Sequence, residues 1–91
     1  MTRTLLLGRE EPLPITTGAA TSFAQASAVR LVNVDPAGAA HTVTVVETQS
    51  GNVIGSMTMP GGSVETLEKQ YSHCIYSSNA LVFGAKVGFT G

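Results

Sequence analysis

The chain has 91 residues, of which 43% are hydrophobic and only 12% are charged, and its five Lys and Arg nearly balance its six Asp and Glu. The length fits a single domain, and the charge balance excludes the basic surface that nucleic-acid binding requires. Because the charged share is about half that of an ordinary soluble protein, we expect a largely neutral surface that contacts other proteins, including further copies of this chain.

The N-terminal segment differs in kind from the rest of the chain. Its leucines end at Gly8, and Arg9-Glu10-Glu11-Pro12 stops the apolar run well short of a signal peptide; nor does any apolar stretch reach the length of a membrane span. We predict an N-terminal arm and loop over residues 1–27, with one weak helical turn at residues 22–26, and a β-domain over residues 28–91. The arm is the candidate protein interface, formed by Thr4, Leu5, Leu6 and Leu7. Whether it pairs with a neighbour or forms the first strand of its own domain stays open.

Three short runs rich in β-branched residues follow, at residues 29–34, 42–47 and 53–59. Turn residues bound each of them. Asp35-Pro36-Ala37-Gly38 is typical of a type I turn, and Ser50-Gly51-Asn52 is typical of a short hairpin loop. These patterns predict three strands.

The C-terminal part continues the β pattern. Residues 63–69 leave little room for a stable helix, so we predict a strand there. The last segment alternates strictly in polarity or size, and we expect one of its faces to be the core face. That face carries Leu81, Phe83, Ala85, Val87 and Phe89. The glycines opposite indicate that another backbone or sheet packs closely there, or that the strand bends.

About seven strands with turns every eight to twelve residues predict an all-β fold. We expect a small antiparallel β-sandwich or barrel with an extended N-terminal arm. A partly open sheet that a neighbouring subunit covers is the alternative.

The strongest catalytic candidate is the cluster Ser72-His73-Cys74, with acidic residues such as Asp35 available to orient the imidazole. On a strand, adjacent side chains point to opposite faces, so these residues are not expected to act as nucleophile and base. His41, His73 and Cys74 also lack the ligand spacing of zinc sites. We therefore predict no catalytic, metal or cofactor site.

Three motifs carry a resemblance to a known group of proteins. They are the turn Met59-Pro60-Gly61-Gly62, the Leu67-Glu68-Lys69 that follows it, and the ending Ala85-Lys86-Val87-Gly88-Phe89-Thr90. With them, the last two thirds of the chain resembles small virion structural proteins of tailed bacteriophages, particularly those of cyanobacteria and other aquatic hosts.

This resemblance implies a capsid decoration or cement protein that is made in the host cytoplasm and bound on the capsid surface of the virion. Its partners would be the major capsid protein or other virion proteins, with no cofactor and no membrane. A neck or tail component is a variant of the same hypothesis. A carbohydrate- or peptide-binding β-module is the alternative, although the chain has no Trp and few aromatic residues.

Overall fold

The computed structural model describes residues 3–90, and within them the chain forms eight β-strands and one short 3-10 helix. The strands are β1 (Arg3–Leu6), β2 (Glu11–Pro12), β3 (Ala28–Asn33), β4 (His41–Val46), β5 (Val53–Met59), β6 (Val64–Glu68), β7 (Cys74–Ser77) and β8 (Val82–Thr90), and the 3-10 helix is Thr17–Ala19. Short β-branched runs separated by Gly and Pro turns explain why the chain forms strands rather than helices.

The strands form two antiparallel sheets. The first sheet has five strands in the order β1-β8-β3-β6, with β2 also paired to β8, and the second has three strands in the order β5-β4-β7. The inner faces of both sheets contribute to one hydrophobic core, which contains Val29 and Leu31 from β3, Val43 from β4 and Ile75 from β7. This arrangement confirms the all-β antiparallel fold that the sequence predicts.

The N-terminal segment is part of this same domain. β1 pairs with β8 of its own chain, from Arg3 opposite Thr90 to Leu6 opposite Val87. The loop after it places Leu13 and Phe23 in the core. Residues 3–6 of the predicted arm therefore form the first strand of their own domain. Met1 and Thr2 lie outside the described residues.

The expected core face of the last strand is only partly right, because Ala85 and Val87 are buried at 4% and 2% exposure but the hydrophobic core cluster contains Val82 instead. Residues directly opposite each other in a sheet share a face. Leu31 of the core lies opposite Gly84, and the buried Asn33 lies opposite Val82, so the core face of β8 carries Val82 and Gly84. Phe83 lies on the outer face. Strict alternation predicts two faces but does not indicate which face a second sheet will cover.

Gly84 marks the close approach that its position in the sequence predicts. A Cβ atom at this residue would lie 2.8 Å from Cζ of Phe23 and 3.1 Å from Cδ2 of Leu31. The approaching group is a side chain from the loop rather than another backbone.

We expect Gly84→Ala to destabilise the fold by about 1–3 kcal/mol, the usual cost of overpacking a filled core. The matched control is Gly55→Ala, because a Cβ atom at Gly55 meets nothing within 4 Å. Chemical denaturation of both variants measures the difference, and equal stability of the two would contradict this account of the packing.

The helical turn predicted at residues 22–26 is left-handed instead of right-handed. Phe23, Ala24 and Gln25 have φ angles of 52°, 55° and 60°. The backbone N–H of Ala26 closes the turn on the Ser22 carbonyl at 3.1 Å. Each left-handed non-glycine residue costs roughly 1–2 kcal/mol. Burial of Phe23 and Ala26 in the core offsets that strain.

Replacing the exposed Ala24 with glycine relieves this strain without removing a core contact. We expect Ala24→Gly to raise the free energy of unfolding by about 1 kcal/mol. Ala80→Gly, at another exposed alanine, is the control and should destabilise slightly or have no effect. A loss of stability in Ala24→Gly, measured by thermal denaturation, would argue against a left-handed turn.

A buried asparagine fixes the connection between β3 and β4. Asn33 Nδ2 donates hydrogen bonds to the carbonyl oxygens of Ala39 and Met59, each at 2.9 Å. Its Oδ1 accepts the backbone N–H of Asp35 at 3.0 Å. One side chain therefore links both sheets to the loop between them.

Asp35 continues this network. Its Oδ1 accepts the backbone N–H of Ala37 at 2.8 Å, and its Oδ2 lies 2.7 Å from Nε2 of His41. These two contacts, the Ala37 bond first, hold the pKa of Asp35 below its ordinary value of 3.8.

Because the folded state favours ionised Asp35, this carboxylate stabilises the fold above pH 3.8, and the contribution is lost as the pH falls through the lower folded pKa. We expect the melting temperature of the wild type to drop more steeply than that of Asp35→Asn between about pH 5 and pH 2. Parallel melting curves for the two proteins across that range would contradict the assignment.

Candidate protein interface

The end of the first sheet projects as a two-stranded ribbon, formed by β1 with Leu7 and by residues 87–90 of β8. We call it the β1 ribbon. All four residues of β1 are exposed. Leu5, Leu6 and Leu7 are 47%, 70% and 50% exposed, and Phe89 is 49% exposed. All four predicted interface residues therefore lie on this ribbon, and its leucines are only partly buried by the domain itself.

The ribbon presents apolar side chains on both faces. Thr4 lies opposite Phe89 and Leu6 lies opposite Val87, so these residues share the outer face, on which Leu6 and Phe89 are exposed and Val87 is buried. Leu5 lies on the inner face, opposite Gly88. A partner that covers either face therefore buries leucine.

The outer edge of β1 has no partner strand within the described part of the chain. Leu7 donates its backbone N–H to the carbonyl of Lys86 at 2.9 Å. Hydrogen-bonded and non-hydrogen-bonded pairs alternate in an antiparallel ladder, so Thr4 and Leu6 turn their backbone N–H and C=O groups away from β8. An edge of this kind can accept a strand from another protein.

Apolar residues also lie farther along the outer face of the first sheet, beyond the row of Arg30, Ala85 and Thr66. The pairings of Val32 with Val64 and with Phe83, and of Pro12 with Phe83, place these residues on the face that also carries Leu6. We call this surface the outer patch. Its members are all exposed or half-buried, and they are Leu6, Pro12, Val32, Val64, Phe83 and Phe89.

An apolar cleft of about 260 Å³ opens on the side of the sandwich where β5 and β6 form the edges of the two sheets. Residues 60–63 join these strands directly, so the two edges lie on one side. Val45, Met57 and Leu67 line the cleft, and each is only partly buried against the core. The sandwich is therefore incompletely closed here.

The sequence analysis missed this cleft. The available signal was the segment 53–59, which has no charge and no proline, although a free edge strand normally carries one or the other. Gly55 also leaves the cleft without a side chain at its position.

The charge beside the cleft is unevenly placed. Glu65 and Glu68 are exposed on β6, whereas Lys69 is buried. Lys69 Nζ donates to the carbonyl oxygen of Ala26 at 2.7 Å and to that of Gln70 at 3.2 Å. Burial lowers the pKa of Lys69. The ammonium group thus holds the loop after Ala26, and the exposed charge at the rim is acidic.

The residues considered for catalysis do not lie as the sequence predicts. β7 begins at Cys74, so Ser72 and His73 belong to the preceding turn rather than to a strand. Cys74 is buried in a small cluster of its own, and Asp35 binds His41 instead of His73. Ser72 and His73 thus lie in a turn and Cys74 on a strand. The expected reason for their separation, alternation along one strand, was wrong.

Metal-binding groups and membrane-spanning helices were sought within residues 3–90. No group of three or more His, Cys, Asp or Glu side chains lies close enough together to hold a metal ion. No helix within the same range has the length and apolar character needed to cross a membrane.

No protein-family model matches the sequence, and no significant match is found among the curated proteins or among the solved structures.

Proposed function

We propose that this chain is a non-enzymatic structural subunit that joins a larger protein assembly through the β1 ribbon. The observation that supports this most directly is a free strand edge flanked by three partly exposed leucines. Apolar side chains around an unpaired edge are typical of a surface that another protein covers.

The particular assembly that we propose is the virion of a tailed bacteriophage, with this chain as a capsid decoration protein on the head. The sequence motifs that resemble small phage structural proteins support this assignment, and so does the low charge of the chain. The major capsid protein is the proposed partner on the shell, and the outer patch is the surface that we assign to it.

The energetics of the ribbon favour weak but repeated contacts. Burying a leucine fully contributes about 1.5–3 kcal/mol, so covering the remaining exposed part of three leucines contributes roughly 2–5 kcal/mol. Ordering a free segment costs about 1–2 kcal/mol per residue. Because β1 is already paired with β8, that cost is met within the folded domain. Many copies on one lattice then add their modest affinities.

The substitution Leu6→Glu tests this function. Leu6 is the most exposed leucine of the ribbon, so the variant should keep the melting temperature of the wild type while losing most of its binding. The measurement is co-sedimentation with expanded, undecorated phage heads, with isolated tails in parallel to separate a head protein from a tail protein.

The matched control is Ile15→Glu, because Ile15 is another strongly exposed apolar residue that lies outside the ribbon and the outer patch. It should bind as the wild type does. Equal binding of Leu6→Glu and the wild type would exclude the ribbon as a contact surface. Failure of the wild type to bind either particle, together with clear hits on a glycan array, would favour the carbohydrate-binding alternative.

A further inference from the structure

The domain has a second free edge that complements the β1 ribbon. β5 is the edge strand of the second sheet and pairs with β4 only, among the strands that the structure describes. It is seven residues long, uncharged and free of proline, although its register with β4 shifts at Ile54, between the pairs Val45–Gly55 and Val46–Val53. β1 and β5 are therefore two free strand edges in one molecule.

The apolar cleft beside β5 is suited to the side chains that the ribbon exposes. Its volume of 260 Å³ exceeds that of the cavities of about 150 Å³ that admit a benzene molecule. Half of its lining residues are Val, Ile, Met or Leu, and Gly55, Ser56, Glu68, Lys69 and His73 complete the lining. Side chains alternate along a strand, so a copy of β1 laid along β5 in either direction turns at least one of its leucines toward the cleft.

Charges of opposite sign lie near these two surfaces. Arg3 and Arg9 lie on either side of the leucines, and Glu10 and Glu11 directly follow Arg9. Glu68 lines the cleft together with the buried Lys69, and Glu65 lies on the same strand as Glu68. Arg3, Arg9, Glu65 and Glu68 are exposed, and none of them takes part in an ion pair within residues 3–90. The two arginines are therefore attracted to the two glutamates of β6.

We propose that the β1 ribbon of one copy pairs with β5 of a second copy and fills its cleft with leucine. This proposal rests on the proposed function and separates two contacts, because the free edge of β1 joins neighbouring copies while the outer patch remains assigned to the capsid. Two different surfaces meet in this contact, so the copies join head to tail and form chains or closed rings.

A two-fold contact between two β1 edges is less favourable for a physical reason. Edge-to-edge pairing of two ribbons extends the sheet but covers neither face, so Leu5 and Leu6 stay exposed in both copies. Docking against the cleft covers one of these faces. It also pairs β5, which a β1–β1 contact leaves free.

One variant blocks each surface without removing a core contact. Thr4→Pro removes a backbone N–H that faces the free edge of β1 and keeps all the leucines. Gly55→Trp fills the cleft, where a Cβ atom has no neighbour within 4 Å. Thr58→Trp is the matched control, because Thr58 is exposed on the same strand but lies opposite Thr42 on the outer face.

Sedimentation velocity of the full chain over a range of concentrations is the measurement. We expect the wild type and Thr58→Trp to associate alike, and Thr4→Pro and Gly55→Trp each to associate about tenfold or more weakly, as the loss of one or two hydrogen bonds or of the cleft contact predicts. An equimolar mixture of Thr4→Pro and Gly55→Trp should form a one-to-one complex and nothing larger, because it holds one intact ribbon and one intact cleft. Circular dichroism confirms that each variant is folded, and Leu6→Glu replaces Thr4→Pro if the proline variant unfolds.

Three results would overturn the proposal. The first is a wild type that remains monomeric at all concentrations. The second is a Gly55→Trp variant that associates as well as the wild type does, and the third is a mixture of Thr4→Pro and Gly55→Trp that forms no complex. Binding of an apolar dye or an extended peptide that Gly55→Trp abolishes, without association of copies, would assign the cleft to another ligand. Co-sedimentation of a monomeric wild type with phage heads would leave the proposed function standing, whereas self-association without binding to any phage particle would leave only this inference.

Discussion

The unequal width of the two sheets decides which apolar groups this small domain buries. The first sheet is four strands wide, because β1 and β2 lie one after the other along the same edge of β8, and the three-stranded second sheet cannot cover the whole of it. The loop between β2 and β3 fills part of the difference by placing Leu13 and Phe23 over Gly84. What neither the second sheet nor the loop covers remains as the β1 ribbon at one end.

The same mismatch leads to the left-handed turn at residues 23–25. Phe23 must leave the surface abruptly to reach the core, and three consecutive residues with positive φ allow it to do so. A domain of this size has a small core, so a single aromatic ring carries much of its apolar burial. The positive φ angles of the turn and the absence of a side chain at Gly84 both follow from packing the Phe23 ring into the core.

The two proposed contact surfaces follow from incomplete closure at opposite places in the fold. β1 projects beyond the second sheet, and β5 and β6 stand apart on the side where a short turn joins them. Natural sheets usually protect such edges with charge, proline or a covering loop. Here β6 has two glutamates, β1 has Arg3 at its start with Arg9 after the leucines, and β5 has no charged residue. The edges of β1 and β5 therefore remain open to a partner strand.

The sequence by itself determined the strands, the turns that separate them and the position of the exposed leucines, because each depends on local composition and on the alternation that a strand imposes. Only the tertiary structure decided which residues on each face of β8 are buried, the hand of the turn that delivers Phe23 and the existence of the cleft. Each of these depends on what a distant segment covers. The leucines of β1 were identifiable as a candidate interface from their order alone, whereas the cleft arises from the spacing between two sheets, which no single segment of the sequence specifies.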